Sequence, residues 1–90
     1  MQVTNIFNNI PSQLSQELFQ DIICKDGIKI QRIVSQGKAT QDDKWYKQEN
    51  DEWVIVLQGE ATLSFEDDLN IKLNSGDYIN IPAHKKHKVS

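Results

Sequence analysis

The chain has 90 residues, enough for one domain of modest size that removes only roughly 60% of its unfolded surface from water. Hydrophobic residues make up 38% and charged residues 26%, an ordinary globular balance that excludes a disordered or fibrous chain. The formal net charge is -3, with lysines interspersed among acids, so no basic stripe is present to release counterions from a phosphate backbone and nucleic acid is excluded as a partner.

The longest apolar run, Trp53 to Leu57, is five residues, whereas a helix needs about 20 to cross a bilayer, and no membrane segment is expected. Met1 to Ile10 is rich in asparagine and lacks the basic and apolar regions of a secretion signal. The single Cys24 has no C-x-x-C partner and reads as a core or strand-edge thiol. Cytoplasmic residence is the expectation.

In chain order, Pro11 to Phe19 places Leu14 and Leu18 at i,i+4 spacing, which predicts one or two helical turns near the N-terminus. Phe19 to Cys24 reads as extended, and Asp26-Gly27 is a turn dipeptide of the hairpin kind. Ile28, Ile30, Arg32 and Val34 then alternate with Lys29, Gln31, Ile33 and Ser35, a period near two that predicts a half-buried strand ending at Gln36-Gly37. Arg32 lies on the apolar parity, which leaves open an interior anion partner or a surface group with a packed stem.

Lys38 to Asp51 has few aliphatic residues and the pair Trp45-Tyr46, the composition of a long functional loop. Glu52 to Gln58 is apolar at both parities and predicts a central strand covered on both faces. After Gly59, the residues Ala61, Leu63 and Phe65 alternate with Thr62, Ser64 and Glu66, and Asp67-Asp68 turns the chain. Asn70 to Leu73 is a short strand, Asn74 to Asp77 a turn, Tyr78 to Ile81 a strand stopped by Pro82, and His87 to Ser90 begins another. Short strands at roughly 8–12-residue spacing define an all-β sandwich or barrel.

Two stretches between Gly37 and His87 carry a more specific pattern. Glu52, six residues and Gly59 match the second half of a motif that runs G, a spacer, H-x-H, three or four residues, E, six residues, G. Gly76, five residues, Pro82, and then His87 stand at the spacings of a second motif that runs G, five residues, P-x-G, two residues, H. In these motifs the chain resembles the cupin family. The string G-D-Y-I-N-I-P-A-H-x-x-H, preceded by W-Y-x-Q-x-x-x-E-W, is similar to a branch of small bacterial cupins.

The resemblance implies a cupin-type antiparallel β-barrel, jelly-roll-like, over residues 1–90 as a single domain. At family spacing the two motif histidines fall on Tyr46 and Gln48, and the middle glycine of the second motif falls on His84. Cupins typically hold a divalent transition metal with three histidines and one glutamate, a nitrogen and oxygen set suited to manganese, iron, nickel or zinc. By resemblance Glu52 and His87, with the carbonyl oxygen of Gln48, are the candidate metal ligands here. Tyr46, His84 and Arg32 are the candidate small-molecule contacts, and Tyr46 and His84 also bring a phenol and a second imidazole as further donors. A complete cupin of this kind continues past Ser90 with a last apolar strand; without it an edge is open, and a homodimer is expected.

Each candidate also has a plainer reading. Glu52 is then a strand-end acid in water, and His84 and His87 belong to the solvated run His84 to Lys88. Gln48 then bonds the backbone of its own loop, and Trp45, Tyr46 and Trp53 serve packing, Trp53 above all, with Tyr46 at the rim. Two functions stay open. One is a metal-dependent activity on a small molecule through Lewis-acid polarisation or activated oxygen; the other is a metal-free small-molecule-binding module or a structural dimer without catalysis.

Overall fold

The computed structural model describes residues 1–14, 17–35, 45 and 47–89, and these form two compact units, Met1–Lys38 and Ala39–Ser90. The described residues contain antiparallel β-strands and no helix. No helix among them is therefore long and apolar enough to cross a membrane.

In the first unit, β1 (Leu18–Lys25) and β2 (Ile28–Val34) form a hairpin. Asp26 and Gly27 have φ of 52° and 79°, so both central residues of the two-residue connection are left-handed. That is the backbone of the primed turns whose twist matches the strands they join, and the Asp-Gly sequence supports it. A bulge between Asp21 and Ile23 breaks the register of β1. Ile28, Ile30, Arg32 and Val34 share one face of β2, as their alternation predicts.

Arg32 acts as a clamp inside this unit. Its Nε donates to Gln20 Oε1 at 2.8 Å, its Nη2 donates to the same oxygen, and its Nη1 reaches the carbonyls of Ile6 at 3.0 Å and Asn8 at 2.5 Å. The segment it holds is a tight turn in which the Asn8 N–H donates to the Asn5 carbonyl at 3.0 Å.

One expectation is corrected in this unit. No helical turn appears among the described residues of Pro11 to Phe19; Leu18 and Phe19 instead pair with Val34 and Ile33. One or two turns cannot repay the ordering needed to nucleate a helix, whereas Leu18 gains a strand partner. Of the two readings of Cys24, the strand-edge one holds: it is exposed on β1, which pairs with β2 alone among the described residues.

The second unit contains β3 (Glu52–Ile55), β4 (Glu60–Phe65), β5 (Asn70–Asn74), β6 (Tyr78–Ile81) and β7 (His87–Val89). They form two antiparallel sheets, β3-β6 and β5-β4-β7. Leu63, Phe65, Leu73 and Ile81 are buried where the sheets meet, with Val54, Val56, Ile71 and Ile79 packed around them. Full burial of each such side chain contributes about 1.5–3 kcal/mol, so this small cluster is the main source of the unit's stability.

The turn from β5 to β6 is closed by the Asp77 N–H on the Asn74 carbonyl at 2.9 Å and by Asp77 Oδ2 accepting the Asn74 N–H at 2.8 Å. Gly76 has φ of 90° there, a conformation that side chains disfavour. Its N–H also donates to the Val56 carbonyl at 2.6 Å, tying this turn to the end of β3.

The strand expected over Glu52 to Gln58 with both faces covered is shorter and one-sided. Val54 and Val56 pack against the core, while Trp53, Ile55 and Leu57 on the opposite parity stay exposed. Among the described residues β3 pairs with β6 alone and is not a central strand. Trp53 does pack, but against Tyr78 on the outer face, with ring centroids 5.6 Å apart and planes tilted by 44°.

Candidate functional site

Glu52 opens β3 and His87 opens β7, so the two motif residues come from different sheets of the second unit. In the register, Glu52 lies opposite Ile81 and His87 opposite Phe65, both of them core residues, and this aims the two polar side chains at the core. They meet there, with His87 Nε2 3.2 Å from Glu52 Oε2 and side chains only 7% and 25% exposed.

The loop from β6 to β7 sets the geometry of His87. The Lys85 N–H donates to the Pro82 carbonyl at 3.2 Å, closing a turn whose third residue, His84, has φ of 65°. A type II turn requires positive φ at that position, which explains why the family motif has glycine there and why His84 occupies it under strain. Asp51 Oδ1 anchors the same turn by accepting the Ala83 N–H at 2.9 Å.

Lys85 then presents its carbonyl to His87 Nδ1 at 3.0 Å. A carbonyl can only accept, so Nδ1 carries the hydrogen, and in the neutral ring Nε2 carries a lone pair. Phe65 backs the ring, with centroids 6.3 Å apart, and the Lys85 ammonium sits 5.3 Å from the Phe65 centroid while pairing with Asp67 at 3.5 Å.

Opposite the Nε2 lone pair lies Glu52 Oε2, which is buried and has no hydrogen-bond partner among the described residues. Two electron-rich atoms 3.2 Å apart, without hydrogen-bond alignment, call for a cation or a proton between them. Ligand bonds of about 2.0–2.2 Å to nitrogen and oxygen put adjacent donors about 3 Å apart, so the pair has the spacing of two ligands on one metal ion. The Nδ1 bond to a backbone carbonyl is the usual outer contact of a metal-binding histidine. By donor chemistry and spacing, Glu52 and His87 fit a divalent transition metal. No group of three or more histidine, cysteine or acidic residues arranged for a metal is present among the described residues, which bring together the pair Glu52 and His87.

The other expected site residues stand elsewhere. Gln48 is exposed, and its carbonyl accepts the His84 N–H at 2.8 Å, which fixes the loop before β3 to the turn before β7. His84 is itself exposed and lines an open depression of about 300 Å³ with Glu66, Asp67, Lys85 and Lys86. Both lysines there are paired with acids at 3.5 Å, so that depression has little net charge to offer a ligand. Arg32 belongs to the Met1–Lys38 unit, where Gln20, Ile6 and Asn8 occupy its guanidinium, and the clamp takes the place of the expected anion contact. Tyr46 lies outside the described residues.

Sequence reasoning did not find Asp51, Phe65 or the Lys85 carbonyl as parts of the site. The carbonyl leaves no mark in a sequence; Asp51, directly before Glu52, was the available signal.

Two antiparallel sheets over one core, with an acid from one and an imidazole from the other meeting inside, define a small β-barrel class of protein. The Cupin domain profile matches residues 33–90, and the chain belongs to the cupin family. A crystal structure from Ralstonia eutropha JMP134, of a protein provisionally assigned as a mannose-6-phosphate isomerase, is similar to it with a TM-score of 0.90 and 35% sequence identity, covering 100% of this chain and 84% of that one. No curated protein matches.

Proposed function

We propose that this cupin binds a small molecule at a divalent transition metal held by Glu52 and His87. One observation carries the reading: the buried, unpartnered Oε2 of Glu52 facing the Nε2 lone pair of His87. Manganese, iron, nickel and zinc suit this donor pair. A metal here supplies Lewis-acid polarisation of a carbonyl or hydroxyl oxygen. The chain's own residues do the rest: the Lys85 carbonyl holds the tautomer and Phe65 backs the ring.

The Ralstonia eutropha protein suggests phosphorylated sugars as the first substrate class to try, with aldose–ketose isomerisation as the reaction. The same reading places the protein in the cytoplasm, where a free exposed thiol such as Cys24 stays reduced.

Elemental analysis of protein purified without chelators or metal-affinity resin tests the proposal. Near-stoichiometric metal in the wild type, absent from a Glu52→Ala, His87→Ala double variant, is the expected result. If both proteins stay empty after incubation with manganese, iron, nickel and zinc, the metal reading fails. The second reading then stands, in which a shared proton bridges the pair and the site binds a polar metabolite. It is favoured by one observation, that only two protein donors converge among the described residues.

A further inference from the structure

We infer that Trp45 and residues 47–51 form a strap along the β6–β7 connection, and that through this strap Asp51 is a positioning residue for His87, deciding which ring nitrogen carries the hydrogen. Three fastenings hold the strap. Asp51 Oδ1 accepts the Ala83 N–H at 2.9 Å, the Gln48 carbonyl accepts the His84 N–H at 2.8 Å, and the Lys88 ammonium lies 4.6 Å from the centre of the Trp45 ring.

The order of these contacts is that of an antiparallel pair. Glu52 and Ile81 face each other at the end of the β3–β6 ladder, Trp45 stands seven residues before Glu52, and Lys88 stands seven after Ile81. The strap therefore carries the register of the ladder past its last pair. β7 is held twice, by β4 through its backbone and by Trp45 through the Lys88 side chain.

The neutral His87 ring has one N–H and two acceptors near it, the Lys85 carbonyl at Nδ1 and Glu52 Oε2 at Nε2, 3.0 and 3.2 Å away. The carbonyl wins the hydrogen only while the connection keeps its shape. That connection passes through His84 at φ of 65° and closes on itself with a bond of 3.2 Å from the Lys85 N–H to the Pro82 carbonyl. Of the strap's two hydrogen bonds to it, the one from Ala83 ends on a carboxylate and is roughly twice as strong as a neutral one. When this anchor is lost the carbonyl is free to leave Nδ1, the hydrogen passes to Nε2, and Glu52 accepts it. The lone pair that a metal needs then no longer faces the carboxylate. One dipeptide, Asp51-Glu52, thus supplies both the acid of the pair and the anchor of its imidazole.

Nitrogen-15 NMR of the ring nitrogens in the metal-free full chain, at a pH where the ring is neutral, tests the inference. His84 and His87 are the two histidines, and His84→Asn tells their signals apart. The wild type is expected to show His87 with its hydrogen on Nδ1, and Asp51→Ala to move that hydrogen toward Nε2 and raise the zinc dissociation constant about 10-fold. Asp51→Asn, whose amide oxygen still accepts the Ala83 N–H, keeps both properties near wild type. A merely structural role for Asp51 would change stability and leave the tautomer alone. Hydrogen on Nε2 in the wild type, an unchanged tautomer in Asp51→Ala, or an Asp51→Asn that behaves like the alanine variant would overturn the proposal. Circular dichroism checks folding; if Asp51→Ala does not fold, Trp45→Leu takes its place, with a shift toward Nε2 expected and an unchanged tautomer again overturning it. Only the zinc readout rests on the metal reading of the pair: a wild type that takes up no zinc ends that reading, while the tautomer still decides this one.

Discussion

At His87 a backbone carbonyl decides what the side chain can do. With Nδ1 committed to Lys85, the ring offers Glu52 a lone pair, and the carboxylate offers one back. Glu52→Gln separates the consequences, because an amide N–H can donate to Nε2 where a carboxylate cannot. The metal-free variant is expected to be more stable than wild type by about 1 kcal/mol in urea unfolding, and to lose the rise in midpoint that zinc or manganese gives the wild type. A variant that keeps the metal-induced rise would count against Glu52 as a ligand.

His84 makes a second residue-level case, since it occupies with φ of 65° the position where the motif has glycine. His84→Gly relieves a left-handed conformation costing about 1–2 kcal/mol and gives back roughly half through the freer unfolded chain. A net gain of about 0.5–1 kcal/mol in the denaturation midpoint is expected, with metal content unchanged, because the exposed imidazole is not placed with the buried pair. Loss of metal in this variant would return His84 to the ligand set. Glu52 and His87 were legible in the sequence because motif spacing fixes strand starts, and strand starts fix direction. Gln48 was legible only as a position, since spacing says nothing of whether a loop side chain turns inward.

Among the elements, the hairpin shows how far short-range sequence signals reach. Asp26-Gly27 and the alternation on β2 predicted both strands and the turn between them. Gly27→Ala puts a side chain at φ of 79° without any steric contact, so its cost is purely conformational. A loss of about 1 kcal/mol is expected, together with faster amide exchange across β1 and β2; unchanged exchange there would mean that the turn does not limit the hairpin. The helical turn before β1 failed as a prediction because a single i,i+4 leucine pair is compatible with many conformations, and Leu18 was claimed by Val34. Apolar residues at both parities of β3 predicted cover on both faces, but the pattern does not say which face the fold covers, and Trp53, Ile55 and Leu57 stay exposed.

For the whole molecule, a homodimer would tie folding to association. Its thermal midpoint is expected to rise with protein concentration, as it does whenever the native state alone binds its partner. A midpoint independent of concentration would agree with a monomer and contradict the expected homodimer. The legible part at this scale was the all-β class and the family; the division into two compact units was not, because the residues on either side of it have the same composition as ordinary loops.

Once bridged, the Glu52–His87 pair is also a rivet. It joins the sheet containing β3 to the one containing β7, and β7 is three residues long, held by β4 alone among the described strands. Anything that enters between the two side chains therefore changes how firmly the shortest strand is fastened. Amide exchange in β7 is therefore expected to slow when a metal ion, a proton or a metabolite bridges the pair, so an unknown ligand can be sought by the stiffness it imparts before its chemistry has been identified.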